Sequence, residues 1–64
     1  MTPETARQAL ITHLALSMWR HWYEARQIPN LAENTREANA HILEIATAYG
    51  IAAEVAAEYA SLIA

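Results

Sequence analysis

Apolar residues recur every three or four positions along most of this chain, which is the spacing of one face of an α-helix. We predict a first helix from about Pro3 to Gln27. Thr2 suits its N-cap, and a proline is favoured in the first turn. The helix must end before Pro29, because the residue ahead of a proline avoids the helical conformation. The short connection at 28–30 predicts that the next helix packs antiparallel to the first.

A second helix is predicted to begin at Asn30 or at Asn34. Each asparagine is followed three residues later by a glutamate, an arrangement similar to a capping box. From there, apolar or small residues alternate at spacings of four and three and mark one face of a helix. This predicted seam consists of Leu31, Thr35, Ala38, Ile42, Ile45 and Tyr49.

Gly50 separates the seam of the second helix from a further apolar face. That face, built around Ile51, Val55 and Tyr59, is rotated by roughly 90° from the seam. A helix break with Gly50 in the C′ position would let both faces contact one core. The alternative is one continuous, kinked helix, because Ile51 is a poor N-cap and the three-four spacing can be continued through the glycine.

These segments predict an all-α fold: a small helical bundle made of an antiparallel helix hairpin and a short third helix after Gly50. The chain of 64 residues is 55% hydrophobic and has no cysteine. We expect residues 1–64 to form one helical domain. A domain of about 60 residues buries only roughly 60% of its unfolded surface, so regular helix packing or oligomerisation must supply the missing stability.

Charge is distributed unevenly along the chain. The formal net charge is −3. Residues 1–32 carry three arginines and two glutamates, whereas residues 33–64 carry one arginine and five glutamates. An acidic balance does not favour nucleic acid or an anionic membrane as a partner. The start lacks the basic region of a signal peptide, and no apolar run is long enough to span a bilayer, so we expect a cytoplasmic protein.

Residues 42–62 resemble a DNA-binding helix-turn-helix motif. Ala46 stands four residues before Gly50, as in that motif. The flanking apolar residues are Ile45, Tyr49 and Ile51. The resemblance implies a small DNA-binding regulator, which is our alternative function. The segment in the place of the motif's recognition helix, residues 52–59, departs from the motif, because it has no Arg, Lys, Asn or Gln to contact base edges and carries Glu54 and Glu58 instead.

Two groups of polar residues have the side-chain types used in catalysis or metal binding. Ser17, His21 and Glu24 follow one another along a stripe of the first helix. A triad also requires a pocket and an oxyanion hole, which one solvated stripe does not provide. His21 with Glu24 could face Glu37 with His41 across the hairpin, but this order reverses the Glu-x-x-His of helical-bundle metal sites. We therefore expect no enzyme activity, no metal and no cofactor.

The segment MWRHWYEAR, residues 18–26, is the densest feature. An ordinary core face spans an arc of about 120° of the first helix. It contains Leu10, Ile11, Leu14, Met18, Trp22 and Ala25. Leu16, Trp19 and Tyr23 lie on a second apolar face at about 180–240°, so this helix needs cover on two sides.

Four explanations compete for this second face. It could stack bases of single-stranded nucleic acid, lie at a membrane interface, be covered by the other helices of a monomer, or meet a protein partner. We favour the last one. We expect a protein–protein interaction module, homodimeric, acting as a subunit, an adaptor or an inhibitor of a larger protein. Its partner-binding residues are Leu16, Trp19, Arg20 and Tyr23, with Arg20 and Arg26 as a polar rim.

Overall fold

The computed structural model describes residues 2–28 and 31–64. They form three helices: α1 (Pro3–Gln27), α2 (Ala32–Ala48) and α3 (Ala52–Ile63). No strand occurs in this part of the chain. Both α2 and α3 pack against α1, and they also contact each other. The predicted all-α bundle is therefore confirmed.

α1 has the bounds that its sequence signals predict. The Thr2 hydroxyl oxygen accepts a hydrogen bond from the backbone N–H of Thr5, with an N···O distance of 3.2 Å, and Pro3 occupies the first turn. At the other end, Ile28 turns to an extended conformation while its N–H still donates to the carbonyl of Glu24 at 2.8 Å. Both ends are thus fixed by local interactions, which explains why the sequence predicts them well.

The start of α2 differs from its prediction. α2 begins at Ala32 after the N-cap Leu31, and no side chain of the described residues caps it. Asn34 lies inside the helix, so its assignment as the cap is wrong, and Asn30 lies outside the described residues. The N–H of Leu31, just ahead of α2, donates to the carbonyl of Ile28 at 3.0 Å.

Gly50 breaks the chain between α2 and α3. Its φ of 71° lies in the left-handed region, where glycine is favoured. The N–H of Gly50 donates to Thr47 O at 2.9 Å, and the N–H of Ile51 donates to Ala46 O at 2.9 Å. These two bonds form a Schellman motif, with Gly50 in the C′ position. The predicted break is confirmed, and the continuous helix is wrong.

The core lies where α1 meets α2 and α3. Its buried hydrophobic residues are Ile11, Leu14, Ala15, Met18, Ile42, Ala46, Ile51 and Val55. On α2 the predicted seam is only partly correct. Thr35 and Ile42 are buried, but fully buried Ala46 lies outside the seam, and Tyr49 is 66% exposed. Tyr49 follows the last residue of α2 as its C-cap, so it lies at the end of the bundle instead of along the core.

α3 is too short to follow α1 along its whole length. An ion pair between Arg7 and Glu54, with an N···O distance of 2.6 Å, joins the beginnings of the two helices. Both helices therefore start at the same end of the bundle. The 12 residues of α3 extend about 18 Å, against about 37 Å for the 25 residues of α1. α3 is therefore about half as long as α1.

Within residues 2–28 and 31–64, no helix combines the length and the apolarity needed to cross a membrane.

Candidate protein-interaction face

Leu16, Trp19 and Tyr23 form one continuous strip on α1, which we call the outer face. Their spacing of three and four residues places them on neighbouring turns of the same side of the helix. The rings of Trp19 and Tyr23 stack, with centroids 5.6 Å apart and an interplanar angle of 17°. The two stacked aromatic side chains therefore form one apolar unit, which we call the aromatic platform.

The outer face points away from the core. Its mean direction lies about 120° around α1 from that of the buried side chains, which are Ile11, Leu14, Ala15 and Met18. Leu16 is 45% exposed and Tyr23 is 48% exposed, while Trp19 is half-buried. The described residues of α2 and α3 therefore leave Leu16 and Tyr23 largely exposed, whereas Trp19 is covered in part.

The two arginines predicted at the rim have different surroundings. Arg20 is exposed and follows Trp19 directly on the helix. Arg26 instead places its guanidinium over the ring of Trp22, 4.0 Å from the ring centroid, in a cation–π contact. Trp22 itself is half-buried and is not one of the buried core residues, so its assignment to the core is only partly correct.

A shallow depression continues the outer face toward the N-terminus of α1. It is lined by Thr5, Gln8, Ala9, Thr12, His13 and Leu16. Its floor consists of small side chains on the same side of the helix as the aromatic platform. One side of α1 thus carries large residues in its C-terminal half and small residues in its N-terminal half. Sequence reasoning missed this gradient, although the positions of Thr5, Ala9 and Thr12 at the same helical spacing would have revealed it.

A second groove lies at the end of the bundle where α2 turns into α3. Its volume is about 630 Å³. Its lining comes from the start of α1 and from the turn: Pro3, Glu4, Ala6, Arg7, Leu10, Tyr49 and Ile51. Tyr49 is the most exposed large hydrophobic residue of the described chain. Tyr49 directly precedes Gly50 in the sequence, and this position is the signal by which the sequence indicates that Tyr49 lies at the turn.

The structure does not assemble the two polar groups into a reactive centre. Ser17 Oγ donates to the carbonyl oxygen of His13 at 3.0 Å, a bond to its own helix and not to His21. His41 Nδ1 and a carboxylate oxygen of Glu44 are 4.0 Å apart on one exposed side of α2. Among the described residues, no three histidine or acidic side chains converge as a metal site would require. The contacts of Ser17, His41 and Glu44 thus lie within their own helices.

α3 occupies the place that the second helix of a helix-turn-helix would have. Its acidic side chain Glu54 is bound to Arg7 of α1, and Glu58 is half-buried. The backbone hydrogen bond at the start of α3, followed by the hydrogen bond from Arg7, lowers the pKa of Glu54. The carboxylate therefore stays charged in mildly acidic solution. A negative charge on this helix opposes approach to phosphates.

No protein family, curated protein or solved structure matches the chain.

Proposed function

We propose that this chain is a protein–protein interaction module that binds through the outer face of α1 and acts as a homodimer. Leu16, Trp19 and Tyr23 supply the apolar contact, and Arg20 supplies part of its polar rim. The module would serve as a subunit, an adaptor or an inhibitor of a larger protein. It acts by occupying a surface and not by catalysis.

The observation that carries this proposal is the exposed aromatic platform. A small folded chain rarely leaves Leu16 and Tyr23 largely exposed beside a half-buried Trp19 unless a partner covers them. Trp and Tyr are also the residues that most often contribute binding energy at interfaces. The stacking of Trp19 on Tyr23 at 5.6 Å orders both rings before binding, so less conformational entropy is lost in the complex.

The experiment compares two aromatic-to-alanine variants, one on the outer face and one outside it. Trp19→Ala removes the platform, whereas Tyr49→Ala removes an exposed aromatic side chain outside the outer face. Each immobilised variant is exposed to labelled parent chain and to a lysate of cells that encode the protein. We expect Trp19→Ala to lose the proteins that the parent retains, and Tyr49→Ala to keep them.

Circular dichroism of both variants checks that they remain folded. Equal retention by the parent and by Trp19→Ala would show that the outer face is not the contact surface. Loss of retention by Tyr49→Ala alone would place the contact at the groove beside the α2–α3 turn instead. Either of these results would overturn the proposal.

A further inference from the structure

We infer that the outer face of α1 is covered by the same face of a second copy of this chain, packed antiparallel, with the two-fold axis crossing the outer face at the level of residue 14. The inference rests on the proposed function and specifies its partner and its register. An isologous pair of this kind requires a surface that is complementary to itself after a half-turn. Three features of the described residues support this arrangement.

The first feature is the gradient of side-chain size along the outer side of α1. In an antiparallel pair centred at the level of residue 14, Tyr23 lies opposite Thr5 of the other copy, and Trp19 lies opposite Ala9. Leu16 lies opposite Thr12. Every large side chain of the outer face thus meets a small one in the depression of the partner, and the half-turn repeats each contact. Such large-to-small pairing lets two helices approach closely and interdigitate.

The second feature is the amount of surface that the single chain exposes. Its accessible surface is 4619 Å², whereas a compact monomer of 7.1 kDa exposes about 4,100 Å². Its radius of gyration is 12.2 Å, against about 10.7 Å for a compact chain of this length. The excess is about 500 Å² per chain, so two chains that covered it would together bury about 1,000 Å², which is the lower limit for a biological interface.

The third feature is the charge at the two ends of α1. Glu4 lies in the first turn and Arg26 in the last turn, on the same flank of the outer face. The antiparallel register brings Glu4 of each copy within about one helical turn of the partner's Arg26. A parallel pair would instead place like charges beside each other. The antiparallel arrangement also sets the two helix dipoles in opposition, which is favourable.

The chain contains no cysteine, so a single spin label can be attached at a chosen site. His13→Cys lies beside the proposed axis, and Gln27→Cys lies at the far end of α1; both positions are exposed. Dipolar electron paramagnetic resonance should give less than about 20 Å between the labels at position 13 and about 40 Å between those at position 27. A parallel pair gives similar short distances at both positions, which would overturn the inference.

A size swap tests the register independently. Ala9→Trp and Trp19→Ala should each raise the dimer dissociation constant by about 30-fold or more, because each destroys one large-to-small contact per half of the interface. The double variant Ala9→Trp/Trp19→Ala restores the pairing with the sizes exchanged, and it should recover most of the affinity. A double variant that is as weak as the single ones would overturn the register.

Sedimentation equilibrium of the parent chain separates this inference from the proposed function. A monomer at several hundred micromolar would overturn the second copy as the occupant. If Trp19→Ala still abolished capture of another protein in that case, the interaction function would stand with a different partner. If Trp19→Ala fails to fold, the two label distances on otherwise parental chains decide the question alone.

Discussion

The backbone N–H of Ile51 donates a hydrogen bond to the carbonyl oxygen of Ala46, with an N···O distance of 2.9 Å, and the side chains of both residues are buried in the core. The same pair of residues therefore closes α2 and anchors the beginning of α3. The bond spans Gly50, whose positive φ allows the chain to reverse in so few residues. The orientation of α3 against α1 depends on this turn.

Gly50→Ala should lower the free energy of unfolding by about 1 kcal/mol. The cost is backbone strain alone, because no heavy atom of the described residues comes within 4 Å of an added Cβ. D-alanine at the same position, introduced by chemical synthesis, favours positive φ and should stabilise the fold by about 0.4–1 kcal/mol. Urea denaturation of the three chains measures both changes. Equal effects of the two alanines would contradict the strain explanation.

The Arg7–Glu54 ion pair predicts a specific response to acid. The pKa of Glu54 is lowered in the folded chain, so its contribution to stability is present above its ordinary pKa of 4.5 and is lost as the pH falls through the lowered pKa. Arg7→Ala should reduce the fall in melting temperature between about pH 6 and pH 2. Glu54→Gln should reduce it further, because it also removes the carboxylate that the backbone of α3 binds.

Arg20→Ala is the matched control for this prediction, because Arg20 is an exposed arginine of the same helix. It should leave the acid response of the parent unchanged. The ion-pair explanation fails if Arg20→Ala and Arg7→Ala alter the pH dependence equally.

Trp22→Ala should lower the stability of the single chain by about 1.5–3 kcal/mol, less than the loss at a fully buried tryptophan. The ring is half-buried and also carries the guanidinium of Arg26 at 4.0 Å. Arg26→Ala should cost about 0.5–1 kcal/mol through the lost cation–π contact.

Trp19→Ala should mainly weaken association instead. Denaturation at low micromolar concentration, beside sedimentation at high concentration, separates the two tryptophans; identical profiles for both would argue against distinct roles.

Asn39→Ala should raise the free energy of unfolding by about 0.5–1 kcal/mol. The side-chain oxygen Oδ1 of Asn39 is buried and has no hydrogen-bond partner among the described residues, which is an energetic cost. Exposed Asn34, also on α2, provides the control, because Asn34→Ala changes helix propensity alone. A gain no larger at position 39 than at position 34 would show that the buried oxygen carries no penalty.

We expect no sequence-dependent DNA binding near physiological salt. α3 carries no Arg, Lys, Asn or Gln to contact base edges, and the Glu54 carboxylate stays ionised. An electrophoretic mobility shift against random and genomic duplexes checks this. A shift that survives this salt concentration and depends on sequence would instead favour the helix-turn-helix regulator.

The sequence by itself determined the features that depend on local interactions. Thr2 and Pro3 define the start of α1, and Pro29 limits where it can end. Gly50 indicates the break, because among the common residues only glycine adopts a positive φ without strain. The helical spacing also separated the core face of α1 from the face of Leu16, Trp19 and Tyr23. Each of these inferences needs only neighbouring residues or the geometry of one helix.

The tertiary structure decided what depends on the relative lengths and positions of the helices. Trp22 is only half-buried although its position on the helical wheel faces the core. Tyr49 continues the seam of α2 but lies beyond the end of its neighbours, where it is exposed. The Arg7–Glu54 contact joins residues 47 positions apart. A periodic pattern gives the direction of a side chain, and only the packed neighbours determine whether something lies there to cover it.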